Sequence, residues 1–457
     1  MADPTQADAV LRSAIRKSSA RLVPLLCLLY ALNYLDRVNV GFAAAGMKSD
    51  IGLSTAAFGL GAGLFFVGYC IFEVPSNMIM HRVGARLWIA RIMVSWGLLA
   101  SAMSAVQGET SFYVLRVLLG ISEAGLLPGI ILYLTYWFPA EVRGRTTAKF
   151  LLALPISIAV GAPLSSWIIS VGDGLFGLAG WQVMFIVQGM PALLIGFAVL
   201  FWLPNRPTDA RWLTPDERAA LTAAIQAEDA AATTRGTSSI RAALRDPRIY
   251  LMGIIGFTAT FGIYAFSFFM PQVIADFEAS FGTPLTATNI SILTAIPFAC
   301  AAVAMRVVSQ SSDRRSERIN HATIAVIVAA IATVAALYAP TPYLTIAALT
   351  ILVSAALASV PVFWQIPKYF LSGAAAAGGI GIIGAISNSA GFFAPTVTGW
   401  LRQNSGSFDS SMIVMAGLMF AGGLLLLLLR RMLTTPSAET VAALQGEAAD
   451  RHAARAD

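Results

Sequence analysis

The stretch that decides the fold runs from Leu22 to Ala44 and reads LVPLLCLLYALNYLDRVNVGFAA. It is about as long as the roughly 20 apolar residues that one helix needs to cross a bilayer core. Asp36 and Arg37 interrupt it, although an ionisable group within a membrane costs about 3 kcal/mol or more and is by default functional. The segment resembles a signal peptide in position, but many apolar segments follow, so we interpret it as a retained membrane helix.

The remainder of the chain repeats this apolar pattern. Of its 457 residues, 57% are hydrophobic and 12% are charged, against about 25% charged in soluble domains. We therefore exclude a soluble protein and predict an all-α integral membrane fold with twelve transmembrane helices. The predicted spans are 22–44, 55–79, 87–106, 111–135, 147–170, 181–203, 248–274, 286–308, 321–339, 343–363, 375–400 and 411–429.

The basic residues predict the orientation of these spans. The net charge of +6 could indicate nucleic-acid binding, but the charges are not clustered as such a surface requires. If the N-terminus is cytoplasmic, nearly all lysines and arginines fall in cytoplasmic segments, and the opposite side keeps only Lys48 and Arg402. The positive-inside rule thus places both termini in the cytoplasm. We expect a monomer in the cell (inner) membrane, with no nucleic-acid partner.

The spans divide into two sets of six around a polar stretch. We predict an N-terminal bundle at 1–203, a cytoplasmic linker at 204–247, a C-terminal bundle at 248–431 and a cytoplasmic tail at 432–457. Thr214-Pro215-Asp216-Glu217 has the residues of a capping box with proline at the first helical position, which predicts a short linker helix. We interpret that helix as a spacer on the membrane surface.

The two halves also match each other in one loop. His81-Arg82-Val83-Gly84-Ala85-Arg86 follows the second span, and Ser312-Asp313-Arg314-Arg315-Ser316-Glu317-Arg318 follows the eighth. Basic loops at equivalent positions indicate duplication, which is common in transporters. The pattern predicts two pseudo-symmetric six-helix bundles.

Several motifs resemble the major facilitator superfamily, and more closely its anion:cation symporter branch, which includes carriers of sugar acids, tartrate, phthalate and hydroxyphenylacetate. The resemblance covers essentially the whole chain. It rests on Asn33-Tyr34-Leu35-Asp36-Arg37, Glu73-Val74-Pro75-Ser76-Asn77, Arg116 through Gly120 to Glu123-Ala124, Trp137-Phe138-Pro139, Arg143-Gly144-Arg145 and Trp212-Leu213-Thr214. It implies the major facilitator fold and the transport of an organic anion.

The chain departs from that family at a few positions. His81 stands where members usually carry an acid in the first basic loop, whereas Asp313 keeps the acid in the second half. Gly384-Ala385 stands where members often carry an Asn-Ser pair, and Lys368 with Tyr369 interrupts a stretch that is usually apolar. We assign Arg82, Arg86, Asp313 and Arg314 to gating or structural roles. The departures leave the particular substrate open.

Five ionisable residues are predicted to lie well within spans: Asp36, Arg37, Glu73, Arg116 and Glu123. Arg116 and Glu123 are seven residues apart and therefore share a helix face. Asp36 and Arg37 are adjacent and cannot share one, so one of them is free to face a cavity while the other faces a neighbouring helix. Buried acid–arginine pairs can also be purely structural and lock helices together.

A carrier of an organic anion needs a positive group in a region of low dielectric constant. Arginine offers a planar fork that suits a carboxylate, and Arg37 and Arg116 are the predicted receptors. Uptake against an inside-negative potential needs co-transported cations, and we assign proton coupling to Asp36 and Glu123. When such an acid is protonated, its arginine is free to bind the substrate.

The remaining candidate residues are Glu73 and four polar or aromatic residues. Glu73 lies near a predicted loop beside Pro75, which favours a structural or gating role over substrate contact. Tyr34, Tyr69, Trp364 and Asn388 occupy plausible cavity positions and could supply hydrogen bonds or an aromatic wall, although an interface anchor is an alternative for Trp364.

We therefore expect a secondary transporter that takes up a small carboxylate with protons by alternating access. An organic-anion exporter or antiporter is the alternative. A membrane enzyme is disfavoured, because the three histidines lie near or beyond the membrane boundaries and no convergent nucleophile or metal set is recognisable. We expect no metal and no cofactor other than the co-transported proton.

Overall fold

The computed structural model describes residues 4–234, 245–276, 281–282, 285–371 and 373–434. Its first half contains eight helices that precede the linker. Their bounds are α1 Pro4–Ile51, α2 Thr55–Val83, α3 Ala85–Ala102, α4 Glu109–Glu123, α5 Leu126–Thr135, α6 Ala140–Leu151, α7 Ala153–Gly172 and α8 Gly180–Trp202.

In the described parts of the linker and of the second half there are one and six α-helices, respectively. Their bounds are α9 Pro215–Thr234, α10 Pro247–Ala275, α11 Ala287–Arg314, α12 Ile319–Leu337, α13 Pro342–Phe363, α14 Gly373–Ser405 and α15 Asp409–Thr434. Within the described ranges no β-strand occurs. The predicted all-α class is confirmed, while the predicted tail lies outside the described residues from position 435 onward.

Twelve helical segments of the described chain are long and apolar enough to cross a membrane, as predicted. Large apolar side chains such as Ile324, Ile331 and Leu424 are exposed on their outer faces. Such surfaces are stable in lipid, where backbone groups must be satisfied within each helix. The chain is a multi-pass membrane protein.

Some predicted boundaries were wrong. Helix α1 continues well beyond both ends of the predicted first span, because its polar N-terminal turns pack on the linker. The fourth span has the predicted bounds, at Glu109–Thr135, but it bends between α4 and α5, where Gly125 has φ +90°, a conformation that favours glycine. The fifth span begins at Ala153 rather than at 147, because a separate short helix, α6, precedes it.

Each half packs its own helices before it meets the other. In the first half, α2 contacts α4, α3 contacts α8, and α1 contacts α7. In the second half, α10 contacts α14, and α12 contacts both α13 and α15. The halves meet where α2 contacts α14, α7 contacts α11, and α1 contacts α10. These three pairings bring α1, α2 and α10 together near the middle of the molecule.

The two ends of the bundle differ. We call the end where α8 finishes and α9 begins the linker end, and the opposite end, where α1 finishes, the distal end. At the distal end α2 and α14 touch so closely that a side chain on Gly59 would overlap the Pro395 carbonyl oxygen. Gln403 Oε1 accepts a 2.8 Å hydrogen bond from the Ala56 amide, and Ser166 Oγ donates one of 2.9 Å to the Ala287 carbonyl. The halves are thus joined at the distal end.

The linker helix α9 begins as predicted. The Thr214 amide donates to Glu217 Oε2 at 3.0 Å and the Glu217 amide donates to Thr214 Oγ1 at 3.3 Å, which completes the capping box. Glu217 also binds the N-terminal extension of α1, through Lys17 Nζ at 2.7 Å and Ser13 Oγ at 2.8 Å. The linker helix is therefore fixed to the first half rather than lying free.

These contacts predict an acid-sensitive docking of α9. The hydrogen bond from Lys17, followed by the one from the Thr214 amide, lowers the pKa of Glu217 to about 2, below its usual value of 4.5. A lowered pKa in the folded state stabilises the docked form above pH 4.5, and that contribution is lost as the pH falls toward 2. We expect Glu217→Ala to destabilise docking by roughly 1 kcal/mol at neutral pH.

The docking can be followed by the near-ultraviolet circular dichroism of Trp212, which stacks on Trp137 with ring centroids 5.6 Å apart. Wild-type protein should lose this signal between pH 4.5 and 2, and Glu217→Ala should weaken it at pH 7. Asp216→Ala, a change at the exposed neighbour, is the control. A signal unaltered in Glu217→Ala would contradict the docking role.

Candidate functional site

Asp36 and Arg37 leave α1 in different directions. Asp36 faces α3, where Trp96 Nε1 donates to its Oδ2 at 2.8 Å, and Asn39 donates to its Oδ1 at 3.1 Å. The network continues from Asn39 to Gln188 on α8 at 2.9 Å. Among the described residues Asp36 has no arginine within ion-pair distance. Asp36 is 2% exposed, and its contacts hold α1 against α3 and α8.

Arg37 forms the one ion pair seen between spans in the middle of the described first half. Its Nη2 lies 3.2 Å from Glu123 Oε2, and Asn33 Nδ2 donates to the same oxygen at 2.7 Å. Both partners are nearly inaccessible to solvent, with side chains 6% and 0% exposed. Glu123 Oε1 and Arg37 Nε are buried without hydrogen bonds. The pair is therefore only partly satisfied, which is costly inside a protein.

Aromatic rings surround the guanidinium group of Arg37. Its Cζ lies between 4.8 and 5.8 Å from the ring centroids of Tyr34, Phe65, Phe66 and Tyr69. The Tyr264 ring on α10 contacts the Phe66 ring at a tilt of 59°, with centroids 4.6 Å apart, and Tyr264 interacts with Arg37 across the interface between the halves. We call these five rings with Arg37 the aromatic cage. Cation–π contacts strengthen when water is excluded, so the cage favours the charged arginine.

Arg116 occupies a different environment from the one its spacing predicts. Its Nε and Nη2 donate to the carbonyl groups of Gly61 and Ala62 on α2 at 3.3 and 3.5 Å. Its Cζ is 4.8 Å from the Phe65 ring, so Arg116 contacts one ring of the cage that Arg37 also contacts. Arg116 is 1% exposed and, in the described structure, is not within 4.0 Å of a carboxylate.

The expectation that Arg116 and Glu123 act together on one face is thus not met by direct contact. Gly120 lies between them, and a side chain there would overlap the Phe65 carbonyl oxygen. The missing side chain lets α2 approach α4 closely, so Arg116 reaches backbone carbonyls of α2. Glu123, two turns further on, meets α1 and pairs with Arg37 instead.

The second half contributes Trp364 and Asn388. Helices α2 and α14 run antiparallel, with contacts of Gly59 with Pro395, Gly63 with Phe392, and Phe66 with Gly391. Continuing this register toward the linker end places Tyr69 level with Asn388 and Glu73 level with Gly384. Trp364 lies beside Gly384, where an added Cβ would be 3.7 Å from the indole ring. Both Trp364 and Asn388 are partly exposed and lie on the side of the cage that faces the linker end.

The residues assigned to gating lie outside the cage. Arg82 and Arg86 are exposed at the linker end, where the Arg86 amide donates to Asn205 Oδ1 at 2.9 Å. Asp313 pairs with Arg318 at 2.7 Å rather than with the exposed Arg314. Glu73 is partly exposed, one helical turn beyond Tyr69. The exposed Lys368 lies in a short turn at Ile366–Tyr369.

Sequence reasoning missed several members of the site. Asn33 lies one turn before Arg37, so helical spacing could have placed it beside Glu123. Phe65 and Phe66 precede Tyr69 by about one turn and could have been found in the same way. Trp96 and Tyr264 carry no such signal, because only the packing of α3 and α10 brings them to α1.

Two halves built from membrane-spanning helices, with a buried arginine–carboxylate pair between spans of the first half, are typical of membrane transporters. The chain belongs to the Major Facilitator Superfamily, whose sequence profile matches residues 26–367. As expected from the sequence, the protein is a transporter and not an enzyme.

Individual relatives and solved structures agree with this assignment. A protein of Agrobacterium vitis named "Putative tartrate transporter" is 44% identical over 89% of this chain and 88% of its own length. The "Putative metabolite transport protein NicT" of Pseudomonas putida is 42% identical over 88% and 91%. The fold matches the xylose transporter XylE of E. coli in a partially occluded inward open conformation, with a TM-score of 0.70, 16% identity and coverage of 89% and 98%.

Proposed function

We propose that the protein takes up a small organic carboxylate together with protons by alternating access. Arg37 binds the carboxylate, Glu123 carries the coupled proton, and the cage with Trp364 and Asn388 surrounds the substrate. The protein lies in the cell (inner) membrane with both termini in the cytoplasm, an orientation supported by the positive-inside distribution of basic residues. In that orientation the linker end faces the cytoplasm.

The observation that carries the proposal is the partly satisfied Arg37–Glu123 pair. Arg37 gives Glu123 one hydrogen bond of 3.2 Å, while Glu123 Oε1 and Arg37 Nε have none. A proton on Oε1 would neutralise the acid and weaken its hold on the guanidinium group. A substrate carboxylate could then replace Glu123 with two parallel hydrogen bonds. Proton binding and anion binding would therefore support each other.

Arg116 and Asp36 support this exchange without joining it directly. Arg116 donates to the backbone carbonyls of Gly61 and Ala62, and we assign it a contribution of positive potential rather than a substrate contact in this conformation. Asp36 accepts hydrogen bonds from Trp96 and Asn39. These bonds fix the rotation of α1 and thereby aim Arg37 at the cage.

The test uses purified protein in proteoliposomes and a panel of labelled carboxylates, including tartrate, phthalate and hydroxyphenylacetate. Uptake should accelerate when the outside is acidic and should collapse with a protonophore. Glu123→Gln should still bind substrate but should respond less to the pH gradient than wild type, because it loses the proton that Glu123 carries. If no carboxylate moves, or if uptake ignores the protonophore, proton symport is wrong.

Export is a second candidate. The "Quinolone resistance transporter" of Acinetobacter baumannii is 34% identical over 90% of this chain and 93% of its own length, and resistance to a drug favours outward movement. The same vesicles distinguish the two directions, because an exporter working by antiport would accumulate substrate when the lumen is acidic rather than the outside.

A further inference from the structure

Glu73 is an acid of the membrane region that the mechanism above does not use. It lies on α2 one helical turn from Tyr69, on the same face, and the Tyr69 ring is 4.8 Å from Arg37 Cζ. Glu73 is partly exposed, whereas Tyr69 and Arg37 are buried. It therefore lies between the buried cage and the linker end, where an anion leaving or reaching Arg37 would pass.

The charged and titratable groups around Glu73 come from three helices. Arg37 on α1 is the positive group that acts on it. Tyr69 and Cys70 on α2 and Tyr264 on α10 are the other titratable neighbours. Across from it, Gly384 and Asn388 on α14 bring no charge. Asn77 donates to the backbone carbonyl of Glu73 at 2.8 Å, but no described residue donates to its carboxylate.

Two carboxylates thus flank one arginine. Glu123 pairs directly with Arg37, whereas Glu73 is partly exposed and, among the described residues, forms no ion pair. A negative charge close to a bound anion weakens anion binding roughly tenfold or more in a medium of low dielectric constant. The negative charge of Glu73 would therefore weaken anion binding unless a cation neutralises Glu73 whenever the anion is bound.

We propose that Glu73 binds a second co-transported cation, a proton, so that two protons accompany each monovalent carboxylate. This inference rests on the proposed function and deepens it. One proton occupies Glu123 and the other a Glu73 carboxylate oxygen, and each leaves to solvent when the site opens on the other side. The cycle then moves one net positive charge with the anion, so the membrane potential drives transport. A sodium ion at Glu73 would have the same charge effect.

The experiment measures stoichiometry in proteoliposomes. A substrate gradient is opposed by a pH gradient at zero potential, and the gradient that gives no net flux yields the number of protons per anion. Wild type should give two and Glu73→Gln one, with loss of the acceleration by an inside-negative potential. Glu109→Gln, at an exposed acid of the distal end, should stay at two, and Glu73→Asp should restore two. Replacing sodium with N-methylglucamine in every arm separates the two cations.

The outcomes separate this inference from the proposed function. A wild-type value of one, or an unchanged value of two in Glu73→Gln, overturns the role of Glu73 while leaving proton symport intact. A value that depends on sodium replaces the second proton by sodium and also overturns the proposal as stated. Absence of any proton dependence in wild type overturns the proposed function itself. Substrate binding by purified Glu73→Gln shows that the variant is folded.

Discussion

Replacing Arg37 with glutamine should reduce carboxylate binding on the order of 100-fold, because a buried charge that loses its partner costs roughly 2–5 kcal/mol. Arg37 is the described guanidinium group that lies over four rings of the aromatic cage, whereas Arg116 lies over the Phe65 ring alone and donates to backbone carbonyls. Affinity can be measured by tryptophan fluorescence on purified protein in nanodiscs. Arg37→Lys should recover only part of the loss, because an ammonium group lacks the planar fork.

The single variant also leaves Glu123 without its positive partner. Removal of one member of a buried pair destabilises a protein by about 3–5 kcal/mol, so a lower melting temperature is expected along with the lost binding. Arg37→Gln combined with Glu123→Gln replaces the pair by neutral amides and should recover stability but not affinity. Arg91→Gln removes an exposed arginine that lies 4.7 Å over Trp88 and serves as the control. Wild-type affinity in Arg37→Gln would remove this arginine from the site.

Much of the fold could be predicted from sequence because the bilayer imposes a simple rule. The length of each apolar segment predicts a span, and the capping box at Thr214 predicts the start of α9. Neither prediction needs tertiary information. The boundaries that failed depend on local exceptions. The bend at Gly125, inside a span whose bounds were predicted, was missed for a similar reason: it requires a positive φ, and a glycine in an apolar segment is equally consistent with close helix packing.

The candidate site was predictable in its charges but not in their pairing. Arg37 and Glu123 were recognisable because a charge within a span is rare. Their pairing depends on how α1 and α4 pack, and spacing along α4 suggested Arg116 for Glu123 instead. The pairing depends on Gly120, because the absence of a side chain there lets α2 approach α4 so closely that Arg116 reaches the backbone of α2. Interhelical distance of this kind has no periodic signal in one sequence.

Helix α1, which carries Arg37, contacts both the linker helix and the second half. Helix α1 is bound to α9 through Lys17 and Glu217 at one end and contacts α10 at the other. The second half is joined to the first through α14 and α11 at the distal end. A change of access therefore has to separate the distal contacts while the linker helix moves with the first half.

Substituting Gly59 should shift the protein toward a state open at the distal end. A side chain there would overlap the Pro395 carbonyl oxygen and lie 3.0 Å from Gly399 Cα, and two backbone segments cannot move aside as a flexible side chain can. Relief requires α2 and α14 to part at their distal ends, which would also break the bond from Ala56 to Gln403. Because about 1.4 kcal/mol changes a two-state ratio tenfold, even Gly59→Ala should increase distal opening tenfold or more.

The shift can be measured by the rate of maleimide labelling of Thr396→Cys, which lies at the contact of α14 with Gly63 of α2, in nanodiscs after Cys27, Cys70 and Cys300 are replaced with serine. Labelling should be at least tenfold faster in Gly59→Ala. Gly417→Ala is the matched control, since it adds the same methyl group within helix α15 where no atom lies within 4 Å. Equal labelling rates in the two glycine variants would mean that the close contact between α2 and α14 does not hold the distal end shut.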